Sequence, residues 1–278
     1  MPKKQIAFSW YGGKYYHLKD ILPLIPPPDV CNHFVDVFGG GGSVILNVDP
    51  GYRGKTYNDI DKELVNFFIQ LRNNGDALLE KLNLTLYSRE EFRIACQPCF
   101  DNLERARRFY VRIQQGFSSI PNRPYWARDA RTVKKKAVIW NNKIETLPNI
   151  INMLKQIQIE NRDALQIIPE YGSVNNFLYC DPPYVHSARK QMDKYVYEMT
   201  DKQHIELGRI LNTIKGRAMV SGYKNIVYDQ VFKDWIRIDF NKTRVGSATS
   251  YGSKGEIIKR QESVWLNYDP ETWQRLAW

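Results

Sequence analysis

The run Phe177-Leu178-Tyr179-Cys180, followed at once by Asp181-Pro182-Pro183-Tyr184, constrains this chain more than any other segment. A short apolar run that stops at an acid reads as a buried strand. Its last residue emerges at the carboxyl edge of a sheet, the edge where open α/β folds bind ligands. Two consecutive prolines then fix φ and remove two N–H donors, so neither helix nor ladder continues and the carbonyls point outward. The product is a rigid bracket of a carboxylate, a free carbonyl and an aromatic ring. A planar base with an exocyclic amino group needs those partners, two acceptors for its N–H bonds and a ring to stack on.

A chain of 278 residues, 43% of them hydrophobic, can hold one large α/β domain or one with a sizeable insertion. No stretch approaches the ~18 apolar residues of a membrane span. The first residues, MPKKQIAFSWYGGK, contain no continuous apolar run of the signal-peptide kind, so the expected location is the cytoplasm. Cys96 and Cys99 have CxxC spacing, but no second pair completes a zinc site, and no metal is expected. The net charge of +10 favours a polyanionic partner. Its distribution is more telling: between Thr85 and Ile150 there are thirteen Lys/Arg against six Asp/Glu, a local excess of +7 that reads as a footprint.

Along the chain, His33–Phe38 reads as a first strand, Gly39–Gly42 as a tight turn, and Ser43–Leu46 as the opening of a helix. A second strand, Thr56–Asp59, ends in an acid 23 residues after Asp36, the spacing of a ribose-binding carboxylate in a nucleoside-binding βαβ unit. The glycines do not match a nicotinamide fingerprint, because counting G-x-G-x-x from Gly39 or Gly40 lands on Val44 or Ile45. Asp61 is placed to cap a helix bearing Leu64, Val65, Phe68 and Leu71. A third strand, Ile157–Glu160, leads to Asp163, 104 residues beyond Asp59, so about 70 residues are inserted and they coincide with the basic segment. Thr200 and Gln203 form a capping box ahead of Leu207, Ile210, Leu211 and Ile214. Arg217–Ser221 is a fifth strand, and Trp235–Phe240 with Ser263–Tyr268 a terminal hairpin.

Four segments in order, Phe8–Lys14, Asp36–Ser43, Tyr57–Asp59 and Asp181–Tyr184, resemble the Dam-type, α-ordered DNA adenine-N6 methyltransferases of the D12 class over nearly the whole chain. The resemblance implies a Rossmann-like α/β methyltransferase fold that binds S-adenosylmethionine, formed by residues 1–84 and 156–278. A mostly helical target-recognition domain would be inserted at 85–155. It assigns the cofactor to Trp10, Lys14, Asp36, Phe38, Gly40, Gly42, Asp59, Asp163 and Asp181, with Asp163 near the cofactor adenine. Arg260, Glu262 and Trp265 look like the family's carboxyl-terminal strand signature, in part structural.

The catalytic set is then Asp181, Pro182 and Tyr184, which would receive a flipped-out adenine of double-stranded DNA. The inserted segment is expected to grip and read that DNA through Arg112, Gln114, Gln115, Phe117, Ser118, Arg123, Arg128, Lys134, Lys135 and Lys136. Arg105, Arg107, Arg108 and Arg112 fall on a helix and would serve equally as a solvated face. The part from Arg123 to Lys136 diverges from the GATC-reading pattern of the Dam type, so GATC specificity does not follow. An RNA adenine-N6 methyltransferase is the runner-up, and a silent DNA-binding relative is set aside because Asp181, Tyr184, Asp59 and Lys14 are intact. A monomer suffices for this chemistry.

Overall fold

The computed structural model describes residues 4–117, 125–128, 135–185, 197–241, 243–244 and 259–274. Its strands are β1 (His33–Asp36), β2 (Gly54–Asn58), β3 (Gln158–Glu160), β4 (Asn176–Cys180), β5 (Arg217–Tyr223), β6 (Ile236–Asp239), β7 (Thr243–Arg244), β8 (Lys259–Arg260) and β9 (Glu262–Leu266). Seven of them make one sheet in the order β3-β2-β1-β4-β5-β9-β6, while β7 and β8 pair separately. Strands β1 to β5 run parallel, and β9 is antiparallel to both β5 and β6. The terminal hairpin therefore forms as expected, with its second strand wedged between the first and the body of the sheet.

From β1 the chain moves outward to β2 and β3; from β4 it moves the other way to β5. The switch point thus lies between β1 and β4, and the crevice beyond their carboxyl ends is the natural ligand site of such a sheet. Both strands are buried on both faces, which is why they read as apolar runs rather than alternating ones.

The helices are α1 (Leu18–Ile21), α2 (Lys62–Asn73), α3 (Gly75–Asn83), α4 (Arg89–Ala95), α5 (Asn102–Gln115), α6 (Lys136–Ile144), α7 (Leu147–Leu154), α8 (Ala164–Tyr171), α9 (Asp201–Leu211), α10 (Ile226–Val231) and α11 (Glu271–Gln274). Asp61 caps α2, accepting from the N–H groups of Glu63 and Leu64, and Thr200 with Gln203 caps α9 reciprocally. The helix expected after the glycine turn does not form. Leu46 N–H reaches Gly42 O at 3.1 Å, but the Asn47 side chain donates to Ser43 O at 2.8 Å and Gln5 O at 2.7 Å. Pro50 then disfavours helical geometry at Asp49, so Ser43–Val48 remains a series of turns.

Helices α8, α9 and α10 cover one face of the sheet. The other face carries α2; on α2 lie α3, α5 and α7, and α6 packs against α3. Phe67 of α2 stacks on Tyr110 of α5 (centroids 5.4 Å, 13°) and meets Phe109 at 5.7 Å. Trp140 of α6 donates from Nε1 to Thr85 O at 3.1 Å. The described part of the inserted segment is mostly helical, and it shares a hydrophobic core with the sheet. Among the described residues no helix is long and apolar enough to cross a membrane, and no cluster of three or more His, Cys, Asp or Glu side chains could hold a metal.

Candidate active site

A cavity of about 300 Å³ opens over the switch point, where four strand ends converge. Asp36 comes from β1, Asn58 and Asp59 from the end of β2, Arg162 and Asp163 from beyond β3, and Asp181 from β4. Trp10, Lys14, Phe38 and Gly40 complete the wall, so every expected cofactor residue except Gly42 lines one space. Gly42 works from behind: its φ of +69° turns the chain.

The turn that delivers Phe38 and Gly40 tolerates little else. Gly40 has φ +50°, and a Cβ there would stand 3.1 Å from the Trp10 indole. Gly40 N–H donates to Asp59 Oδ2 at 2.9 Å, and Tyr57 O–H donates to Gly40 O at 2.7 Å. Asn58 ties three strand ends together, donating to Val37 O and Arg162 O while accepting from Arg162 N–H.

The cavity wall is mostly apolar and glycine, and its charged groups are chiefly carboxylates. Asp36, Asp59, Asp61, Asp163 and Asp181 face it, whereas Lys14 is paired with Asp181 and Arg162 with Glu170 at 2.6 Å. Burial and the neighbouring Asp181 charge push the Asp36 carboxyl well above the usual carboxylate range. Its Oδ1 is buried with no hydrogen-bond partner. Burial raises Asp59 to about 6, against the opposing N–H bonds from Asp61 and Gly40. A buried, unsatisfied carboxylate oxygen facing a cavity suits a cationic ligand.

The Asp-Pro-Pro-Tyr bracket is held from three sides. Asp181 Oδ1 accepts from Ser221 Oγ at 2.7 Å, and Lys14 Nζ lies 2.6 Å from the same carboxylate. Lys14 is only 2% exposed; its ammonium also donates to Gly12 O at 3.1 Å and stands 3.7 Å from Glu262. Burial works against the charge on Lys14, but Asp181 and Glu262 outweigh it and hold the ammonium above its ordinary value. Burial pushes the Asp181 carboxyl up, and Lys14 only partly offsets this. Tyr184 O–H donates to Glu262 Oε1 at 2.5 Å. Its ring is 8% exposed, with the Lys14 ammonium 5.1 Å from the centroid and Tyr223 edge-on at 4.4 Å. Pro182 is buried, and Pro183 lines the cavity.

The expected DNA-contacting residues are divided. Gln115 is fully buried and donates to Leu86 O at 2.9 Å; Arg112 is spent on Ala95 O at 2.8 Å. Both are engaged by carbonyls of neighbouring segments. Gln114 accepts from Lys143, whose ammonium also donates to Ser9 Oγ at 3.0 Å. Burial, with Lys136 nearby, pushes Lys143 down to about 8. Phe117, Arg128 and Lys135 are exposed and Lys136 partly so, while Ser118, Arg123 and Lys134 lie outside the described residues. The α5 arginines are neutralised internally: Arg105 by Glu63, Arg107 by Glu91 and Glu104, and Arg108 by Glu104. The helix contributes less free positive charge than its sequence suggests.

Sequence reasoning missed Ser221, Tyr223 and Tyr197, and gave Glu262 no role at the site. Glu262 had a signal, an acid directly before the strand Ser263–Tyr268. Tyr197 had none, because its place on the cavity wall depends on the path of the chain.

The type II methyltransferase M1.LlaDCHI of Lactococcus lactis subsp. cremoris is 24% identical over 90% of this chain and 93% of its own length. The type II methyltransferase M.MjaIII of Methanocaldococcus jannaschii is 23% identical over 94% and 98%. M.CviBI, a type II methyltransferase of Paramecium bursaria Chlorella virus NC1A, is also 23% identical over 94% and 98%. The family model for D12 class N6 adenine-specific DNA methyltransferases matches residues 10–246, spanning the amino-terminal loop, the glycine turn, the inserted segment and the bracket. The chain therefore belongs to the D12 class N6 adenine-specific DNA methyltransferase family, and its reaction is methylation of adenine N6 in DNA.

Proposed function

We propose that the chain takes its methyl group from S-adenosylmethionine bound in the cavity and delivers it to an adenine flipped out of duplex DNA into the Asp-Pro-Pro-Tyr bracket. The observation that carries this reading is Asp36, which lines the same cavity as Asp181 and keeps one buried carboxylate oxygen, Oδ1, without a hydrogen-bond partner, while the Ile45 N–H serves the carboxylate from behind. S-adenosylmethionine supplies an electrophilic methyl on a sulfonium, and it also carries an ammonium that an orphaned carboxylate suits. Asp36 would take the cationic end, Asp59 would accept from the ribose hydroxyls, and Asp163 would stand at the adenine end. Trp10 and Phe38 supply aromatic walls, and the two glycines let the backbone approach.

At the target, Asp181 and the Pro182 carbonyl accept the two amino N–H bonds of adenine. That holds the nitrogen pyramidal and localises a lone pair otherwise delocalised into the ring. Orientation then supplies much of the rate. Asp181 acts as the ionised acceptor, and the proton leaves to it or to solvent. Extruding the base costs a few kcal/mol. Stacking on Tyr184 recovers about 1–3 kcal/mol.

Residues 85–155 would form the target-reading part against a catalytic body of 1–84 and 156–278. Gln114, Phe117, Ser118, Arg123, Arg128 and Lys134–Lys136 would meet DNA, and Arg112 and Gln115 would shape the turn that presents them. The direct test is label transfer from S-adenosylmethionine to unmethylated duplex DNA, with RNA and Asp181→Ala as controls, followed by sequencing that detects modified bases. Label at one adenine context, absent from the variant, is the expected result. Label only in RNA, or in neither nucleic acid, would overturn the proposal.

A further inference from the structure

We propose that Glu262 is a positioning residue of the transfer centre, providing a second seat for the Lys14 ammonium when the target amino group takes Asp181. The inference rests on the assignment of Asp181 as acceptor for that amino group. In the free protein the acceptor is already occupied, since Lys14 lies 2.6 Å from the Asp181 carboxylate and Ser221 holds its Oδ1. An incoming N–H must share or displace the ammonium. Lys14 is too deeply buried to turn to water, and an unpaired buried ammonium is among the least tolerable groups in a protein interior.

One neighbouring group answers that need. The Glu262 carboxylate is 3.7 Å from Nζ, and its Oε2 is buried with no hydrogen-bond partner. Its Oε1 meanwhile accepts from Tyr184 at 2.5 Å. One carboxylate on β9 thus governs both the lysine that guards Asp181 and the ring that closes the bracket. A small rotation of the Lys14 side chain moves the ammonium from one carboxylate to the other without exposing it. In the free protein Tyr184 lies under that ammonium and against Tyr223, so moving Lys14 also uncovers the ring face a base would stack on.

The charges facing Asp181 make the idea measurable. Lys14 from the amino-terminal loop favours its ionised form. Glu262 from β9 and Asp36 from β1 oppose it, while Ser221 from β5 stabilises it by hydrogen bonding; Tyr179 and Cys180 from β4 also face it. Glu262→Gln keeps the volume and the oxygen that accepts from Tyr184, and removes only the negative seat.

The experiment measures the pH dependence of label transfer from S-adenosylmethionine to unmethylated duplex DNA, with calorimetric cofactor affinity alongside. For Glu262→Gln the expected result is a kcat lower by about tenfold or more, with cofactor affinity within about twofold of wild type. The acid limb should move to lower pH by about one unit, because a like charge beside Asp181 has gone. Tyr184→Phe should lower kcat and leave that limb in place, separating loss of the ring's anchor from loss of the charge.

An acid limb and kcat unchanged in Glu262→Gln would overturn the inference. Should that variant fail to fold, Glu262→Asp keeps the charge, and its limb should stay at the wild-type pH; a displaced limb would count against the proposal. A wild-type chain that labels no DNA would sink the underlying methyltransferase reading itself.

Discussion

Asp59→Asn separates the two tasks assigned to the second acid of the cavity. Asp59 Oδ2 accepts from Gly40 N–H at 2.9 Å and Oδ1 from Asp61 N–H at 2.8 Å. An amide in its place offers one oxygen and one NH₂, so in either orientation a backbone N–H faces a donor. Losing one such bond to a charged group costs about 1–3 kcal/mol. The pH behaviour is more specific. Raising this carboxyl from 3.8 to about 6 corresponds to about 3 kcal/mol of lost preference for the charged form. In the free protein, protonated Asp59 favours the fold; that contribution is full below 3.8 and is lost as pH rises through about 6. Cofactor binding runs the opposite way, because ribose hydroxyls donate to the ionised form. Affinity should be full above about 6 and fall by up to about tenfold per pH unit below it. Calorimetry with S-adenosylmethionine from about pH 5 to about pH 8 should show this slope in the wild type, with a proton released on binding at the acid end. In Asp59→Asn the slope should flatten to the share that Asp36 contributes, and Kd at the alkaline end should rise by about 10- to 100-fold. A wild-type Kd that is flat across the range, or a variant that keeps the slope undiminished, would refute the reasoning.

Three further outcomes are expected. Gly40→Ala forces a Cβ into a left-handed backbone 3.1 Å from the Trp10 indole, costing about 1–2 kcal/mol; thermal unfolding should show a lower Tm and calorimetry a weaker cofactor. Asp181→Asn strips the buried Lys14 of its closest counter-ion but leaves Glu262 to pair with it, so stability should fall by less than the about 3–5 kcal/mol of an uncompensated buried charge, while kcat should drop by at least about 100-fold, measured by denaturant unfolding and label transfer. Lys143 is held near 8, so if its ammonium faces a phosphate, DNA affinity by fluorescence anisotropy should weaken as pH rises above about 8; Lys143→Arg should abolish that dependence.

Much of this site was legible because strand ends announce themselves. Asp36, Asp59 and Asp181 each close a short apolar or β-rich run, and a doubly wound sheet gathers such ends at one edge. The capping residues Asp61 and Thr200 were equally plain, since a cap acts within three residues. What failed was what depends on partners far away in sequence. Gln115 looks like a polar turn residue until Leu86 O claims its amide from 29 positions away. The arginines of α5 read as a basic face, yet Glu63, Glu91 and Glu104 absorb them. The helix after the glycine turn was undone by Asn47, whose side chain prefers Ser43 and Gln5 to solvent. Tyr184 reads as a stacking ring, but its hydroxyl is held by Glu262, 78 residues downstream.

The stack of Phe67 on Tyr110 joins a helix next to the cavity to the helix that leads into the turn proposed to read the target. Such a joint makes the inserted segment a poor candidate for exchange as a cassette. Cutting it out would expose aromatic surface on both pieces, and a graft from a relative would have to rebuild that contact ring for ring. On the proposed assignment, a new target sequence is reached more readily by altering side chains between Phe117 and Lys136, with α5 and its aromatic seat left untouched.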